Sequence, residues 1–229
     1  MGYYPIFVEL AGRACLVVGG GNVALGKVRG LLNAGGAVTV VSPALHPELQ
    51  TLAAAGSVLH IARAYQQGDV DGFALVMVAT DDGAVNSEVA RHARAQGIWV
   101  NASDDPPNCD FILPSVIRKG QIVVAASTGG ASPALARRLR EELDAYLTDD
   151  FEPLTLLLAE VRGELRARNV VVDADTWQRA IDGQLRVLLA QRRHGQAKAH
   201  LLRGLGVLVE PAGIDDGPAP IVPAGVGRG

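Results

Sequence analysis

Cysteine is scarce in this chain: two of 229 residues, Cys15 and Cys109. Two thiols so far apart give neither a disulfide framework nor a metal-ligand spacing. Cys15 falls in an apolar run and reads as a small core residue. Cys109 lies in a loop and could be reactive, but the sequence gives it no activating neighbour beyond Asp110. The five histidines, His46, His60, His92, His194 and His200, are scattered without ligand spacing and read as surface residues. No metal site is expected. The longest apolar run, Phe73–Ala79, has the length of a strand rather than of a membrane span. A basic start followed by a signal core is missing, and Ile6 stands where a myristoylation motif wants Ser or Thr. The expectation is a cytoplasmic, reduced protein that does not engage a membrane. A net charge of −3 argues against a general nucleic-acid binder and confines any basic site to a local patch.

What the chain does have is glycine and apolar residues, 27 of the former and 48% of the latter. Ala14–Val18 is an apolar run, Gly19-Gly20-Gly21 a turn, Asn22–Ala34 an amphipathic segment and Ala37–Val41 a second apolar run. That succession predicts a βαβ unit. Gly19, Gly21 and Ala24 fit the G-x-G-x-x-A dinucleotide fingerprint. The first glycine permits the tight turn, the second admits a pyrophosphate to the backbone, and the small third residue lets helix and strand pack closely. A helix starting near Asn22 or Val23 offers free N–H groups to phosphate. A tight glycine turn without a ligand is the competing reading.

Further strands are expected at Ser57–Ala62, Ala74–Ala79 and Ile98–Ala102, with helices at His46–Ala55 and Asp82–Gln96. Tyr4–Leu10 would pack on the sheet edge. Strands alternating with helices predict a doubly wound parallel α/β sheet of Rossmann type, in the order 3-2-1-4-5. The pattern then changes. Asp104–Asp110 reads as a loop. Phe111–Ile117 and Gln121–Ser127 read as a hairpin turning at Arg118–Gly120. Ser132 as N-cap and Pro133 start a helix to about Leu147. Helices follow over Phe151–Arg168, Thr176–His194 and Gln196–Leu205, and the Gly/Pro-rich end reads as disordered. The organisation expected is a Rossmann domain over 1–113, a small α+β dimerisation segment over 114–150, a helical module over 151–208 and a disordered tail over 209–229.

Ligands of such sheets lie beyond the carboxyl ends of the strands. Topology alone brings Gly19–Val23, Ser42-Pro43-Ala44, Thr80-Asp81-Asp82 and Asn101–Asp105 to that edge. Strand two ends in Ser42-Pro43 where an acid usually holds the adenine ribose, so backbone groups or the Ser42 hydroxyl would meet it. No arginine follows to grip a ribose phosphate, which leans toward NAD over NADP. Asp104 stands where a carboxylate could accept a proton while a hydride leaves for the cofactor; a loop-capping aspartate is the alternative. Asp81 and Asp82 are expected to cap the helix after them, at the cofactor's edge. Thr128-Gly129-Gly130-Ala131-Ser132-Pro133 before a helix suits a second anion, with Arg118, Lys119, Arg137, Arg138 and Arg140 nearby. A capped helix with a solvated basic face is the other reading.

Pro5–Leu10, Cys15–Ala24, Val38–Pro43, Ala79–Asp82 with Asn86, Asn101–Pro106, Phe111–Ser115 and Ser127–Pro133 together resemble the siroheme synthase N-terminal module family: precorrin-2 dehydrogenases, some also sirohydrochlorin ferrochelatases. The match runs in order from about Tyr4 to Leu147; the helices beyond are similar only in kind. With no methyltransferase domain after it, the chain looks like the stand-alone form. The resemblance implies NAD-dependent oxidation of precorrin-2 to sirohydrochlorin by a homodimer. The family's catalytic aspartate falls on Asp104, while Asp105 departs from the small residue common there. Cofactor contacts fall on Asn22, Val23, Pro43 and Ala44, alongside Gly19, Gly21, Ser42, Thr80 and Asp81. Asn101, Ser103, Thr128, Gly129, Gly130, Ser132 and Arg138 would serve the carboxylate-rich tetrapyrrole. Ferrous iron would be a partner only in a chelatase. Two rivals remain at this level: a nucleotide-sensing regulatory domain of the potassium-transport type, and an ordinary dehydrogenase of small alcohols or acids. The first usually keeps the acid after strand two. The second would show a catalytic Lys, His or Tyr at the sheet edge.

Overall fold

A computed structural model describes residues 2–207. The chain divides into two compact units, Met1–Leu113 and Pro114–Gly229.

The first unit is a five-stranded parallel sheet of β1 (Ala14–Val18), β2 (Ala37–Val41), β3 (Val58–Ile61), β4 (Leu75–Val78) and β5 (Trp99–Ala102), in the order β3-β2-β1-β4-β5. Helices α1 (Asn22–Asn33), α2 (Pro47–Ala54) and α3 (Gly83–Ala95) connect them. Alternation along each strand feeds two cores. Cys15, Val17, Val40 and Met77 pack with Leu25, Val28 and Leu31 of α1 and Leu49 of α2. Leu16, Val18, Val41, Val76, Val78 and Val100 pack with Val89, Ala90 and Ala93 of α3. The register aligns the strand ends: Val18 pairs with both Val41 and Val78, and Val78 with Ala102. The residues that follow therefore emerge along one crest.

Three expectations need correction here. The lead-in does not lie on the sheet edge: Tyr4 is 88% and Phe7 74% exposed. The segment forms no strand, and only Leu10 reaches the core. His92 is buried rather than a surface residue, because it falls three residues after Val89 on the inward stripe of α3. Its burial is made tolerable by Tyr65, whose hydroxyl meets Nδ1 at 2.8 Å; burial pushes that phenol up to about 12, so it stays protonated. The loop after β5 is not wholly irregular, since Pro106–Asn108 form a single 3₁₀ turn.

In the second unit β6 (Ser115–Lys119) and β7 (Ile122–Ala126) form an antiparallel hairpin. Lys119 pairs with Ile122, so Gly120 and Gln121 make the turn, and Gly120 takes the left-handed φ of 55° that it requires. The first strand begins four residues later than expected because Phe111 packs into the first unit's core instead. Helix α4 (Pro133–Tyr146) opens on Ser132, whose Oγ accepts the Leu135 N–H at 3.2 Å. Beyond it lie α5 (Phe151–Ala167), α6 (Ala174–Ala180), α7 (Gly183–Ala190) and α8 (His194–Gly204). Leu154, Leu157, Val161 and Leu165 of α5 make one stripe that packs on Leu185, Leu188 and Leu189 of α7 and Ala197, Leu201 and Leu202 of α8. The single helix expected over Thr176–His194 is two. Asp182 accepts the Leu185 N–H at 2.8 Å and restarts the chain as an N-cap. The tail expected over 209–229 lies outside the described residues. Among the described residues no helix is long and apolar enough to cross a membrane.

Candidate functional site

The crest is built from four turns. The first follows β1. Gly19 has a φ of 116°, and a Cβ there would lie 2.2 Å from the Ala79 carbonyl oxygen. Gly20 is equally confined, its would-be Cβ 2.0 Å from the Ala44 oxygen and 2.6 Å from Ser42 Oγ. Gly21 meets nothing within 4 Å. It is the N-cap of α1, contributes no side-chain cap, and the first turn holds no acidic residue. The exposed Asn22 and Val23 follow it. The first-turn N–H groups and the positive dipole end thus face outward over a glycine with open space beside it, a cradle suited to a pyrophosphate. Sequence reasoning missed Gly20, which the fingerprint leaves free although the fold does not.

The second turn follows β2. Ser42 is buried and its hydroxyl donates to the Ala44 carbonyl at 2.7 Å, while His60 Nε2 meets the Ser42 carbonyl at 2.9 Å. The hydroxyl braces its own loop, and Pro43 and Ala44 are the exposed groups there. No acid or arginine stands among these three residues.

The third turn follows β4. Asp82 caps α3, accepting the Ala84 and Val85 N–H groups at 2.9 and 3.2 Å. Asp81 is exposed and is not the cap. Thr80 Oγ1 donates to Asn86 Oδ1 at 2.7 Å, so Asn86, buried on α3, fixes the turn from behind.

The fourth turn follows β5 and carries the titratable groups. Asn101 is buried; its Nδ2 donates to the Phe111 carbonyl at 2.8 Å and its Oδ1 accepts from Lys27 Nζ at 3.2 Å. Its amide is taken up inside the fold. The Ser103 hydroxyl is buried and unpartnered. Asp104 is exposed, with a left-handed φ of 57° that side chains other than Asn and Asp rarely adopt. Asp105 is turned back into the loop, where its Oδ2 accepts Asn108 Nδ2 at 2.8 Å. The Cys109 thiol donates to the Ala102 carbonyl at 3.0 Å, and burial pushes it up. Lys27, on α1, was not singled out in the sequence. Burial draws its ammonium below the ordinary lysine value, against the pull of Cys109 and Asp104.

The remaining residues assigned to substrate lie in the second unit. Thr128 Oγ1 accepts the Ser132 N–H at 3.1 Å and Ser127 Oγ accepts the Gly129 N–H at 3.0 Å. Gly129 and Gly130 have φ of 64° and 89° with open space on their Cβ side. Arg138 is exposed and spans one helical turn to Glu142 at 2.7 Å. Arg140 and Lys119 also face carboxylates, of Glu141 at 3.7 Å and Asp144 at 3.8 Å. Among the described residues, no three His, Cys, Asp or Glu side chains gather as a metal site.

Residues 6–115 match an NAD(P)-binding family model, and residues 121–146 match the central region of sirohaem biosynthesis proteins. The siroheme synthase of Thioalkalivibrio sulfidiphilus (strain HL-EbGR7) is 41% identical over 209 residues, 90% of this chain and 42% of that one. That of Methylococcus capsulatus (strain ATCC 33009 / NCIMB 11132 / Bath) is 40% identical over 206 residues, 88% of this chain and 43% of that one. The chain therefore spans less than half the length of these curated relatives. Among solved structures, SirC, a precorrin-2 dehydrogenase, superposes with a TM-score of 0.71 at 27% identity, covering 88% of this chain and 100% of that one. A glycine cradle at the crest of a 3-2-1-4-5 sheet, the two matched segments in order and these relatives lead to one conclusion: the chain belongs to the siroheme synthase N-terminal module family.

Proposed function

We propose that the protein oxidises precorrin-2 to sirohydrochlorin with NAD as acceptor, and that Asp104 is the base. The observation that carries this reading is the meeting, on one crest, of an uncapped helix N-terminus with an exposed carboxylate on a left-handed turn. The oxidation removes two electrons and two hydrogens from the macrocycle, one leaving as hydride and one as a proton. NAD, when bound, supplies the hydride acceptor. Gly21 and the first N–H groups of α1 hold its pyrophosphate, and Pro43 and Ala44 line the adenosine end. Thr80 and Asp81 border the nicotinamide side. Asp104 takes the proton on a carboxylate oxygen. Asp105, committed to Asn108, keeps a structural part. In the second unit, the Gly129-Gly130 turn and the exposed Arg138 guanidinium are groups of the kind that suit carboxylates. A sensor role is not favoured, since the relatives named above are synthases and a dehydrogenase.

A homodimer accompanies this reading. Helix α4 is amphipathic yet buries none of its residues, and leaves Leu135 52% and Tyr146 67% exposed. An apolar stripe of that kind suits a second copy of the chain.

The test is anaerobic incubation with precorrin-2 and NAD. Formation of the sirohydrochlorin spectrum in step with NADH is expected; no NAD-dependent change would refute the reaction. Asp104→Asn should keep its NAD affinity and lose turnover about 100-fold or more, whereas Asp105→Asn should stay within a few-fold of the parent. Full activity of Asp104→Asn would remove it as the base.

A further inference from the structure

Lys27 lies in the second turn of α1, a little over one turn beyond the phosphate cradle. It is part-buried, and its Nζ reaches Asn101 at the end of β5. Its polar partner is a neutral amide, Asn101 Oδ1 at 3.2 Å, and among the described residues its ammonium makes no ion pair. A lysine drawn out of water without a counter-charge at contact disfavours folding. An apolar side chain of the same length would fill this place at less cost, so the ammonium calls for another explanation.

Its partner's geometry supplies one. An ammonium can only donate, so it fixes the Asn101 amide with Oδ1 toward α1. That leaves Nδ2 to donate to the Phe111 carbonyl, at 2.8 Å. One amide thus joins α1, β5 and the segment at Phe111. Three residues after Asn101 comes Asp104, in its left-handed conformation. The turn between is also held at Ala102, whose carbonyl accepts the Cys109 thiol at 3.0 Å. The Ser103 N–H donates to the Val78 carbonyl at 2.9 Å, but the Ser103 hydroxyl finds no partner. The helix that carries the phosphate cradle is therefore tied, through the Lys27–Asn101 hydrogen bond, to the strand that leads into the Asp104 turn.

We infer that Lys27 is a positioning residue: through Asn101 it sets the Asp104 turn against the helix that holds the dinucleotide phosphates. This rests on the reading of Asp104 as the base. Its contribution should then appear in kcat and pass through Asp104, because small misplacement of a reacting group costs rate more than affinity.

A double-mutant cycle tests it, on the full chain with precorrin-2 and NAD. Lys27→Met should bind NAD within about three-fold of the parent and lose about 10- to 100-fold in kcat. Lys27→Gln, which keeps a donor but no charge, should fall between the two. In the Asp104→Asn background, Lys27→Met should change the residual turnover less than about two-fold, because the group it positions is gone. An equal loss in both backgrounds would make Lys27 structural or independent, and would leave the role of Asp104 standing. An unchanged kcat in Lys27→Met would end the inference outright. Full activity of Asp104→Asn alone would remove both roles together. If Lys27→Met does not fold, Lys27→Leu, which likewise removes the donor, carries the same cycle and the same outcomes.

Discussion

Gly19 and Ala79 stand so close across β1 and β4 that the glycine has no room for a side chain: a Cβ would sit 2.2 Å from the alanine's carbonyl oxygen. The obstacle is backbone, which cannot swing aside as a side chain can. The φ of 116° adds its own penalty for any L-residue. Gly19→Ala should therefore destabilise the first unit by about 3 kcal/mol or more. Gly21→Ala meets open space at an ordinary φ of −85°. It should unfold within a degree or two of the parent and bind NAD at least about ten-fold more weakly, the methyl entering the cradle. Thermal melts and calorimetric NAD titration separate the two. Equal melting temperatures for both variants would refute the account of the turn.

Asp150 and Arg186 form the best-shielded ion pair of the second unit, 2.6 Å apart, with the carboxylate side chain 10% exposed. The guanidinium, which also lies 4.4 Å above the Phe151 ring centre, holds the Asp150 carboxyl below the usual aspartate range by hydrogen bonding to it. A carboxyl lowered on folding stabilises the fold above its unfolded value, and that contribution fades as pH drops through the folded one. Arg186→Met should melt below the parent at pH 7, and the gap should narrow progressively below about pH 4. A gap that stays constant from neutral to acid would show that the packing of Arg186, not its charge, is what matters.

The exposed stripe of α4 predicts the assembly. Leu135→Glu combined with Tyr146→Glu should convert a dimer to a monomer at micromolar concentration in sedimentation velocity, with the helical circular dichroism retained. A parent chain that sediments as a monomer under the same conditions would withdraw α4 from that role.

The sheet was legible because its inner strands β1, β2 and β4 are buried on both faces. Leu75–Val78 has no polar residue to blur it, and the glycines of the first turn mark where β1 must end. The cap of α4 was equally plain, as Ser132-Pro133 has few other uses. What stayed hidden depends on contacts far apart in sequence. Nothing in the spacing of Lys27 and Asn101, 74 positions apart, announces that they touch. His92 looked like a surface residue because it was weighed by type rather than by its place on the α3 stripe. The break at Asp182-Gly183 did carry a signal, a capping residue before a glycine, but the apolar periodicity on both sides outweighed it. That the Ser42 hydroxyl is taken up by the Ala44 carbonyl, and that Gly20 abuts both residues, only the folded chain discloses.

That closeness has a kinetic consequence. Gly20 abuts Ala44, and the His46 N–H donates to the Gly20 carbonyl at 2.7 Å, so the two loops assigned to opposite ends of the cofactor's ADP half are clasped by the chain's own contacts. The entropy of arranging them is lost once, at folding, and not again at each encounter. The dinucleotide should meet a receptor already in its final shape, with capture governed by diffusion and orientation rather than by loop closure.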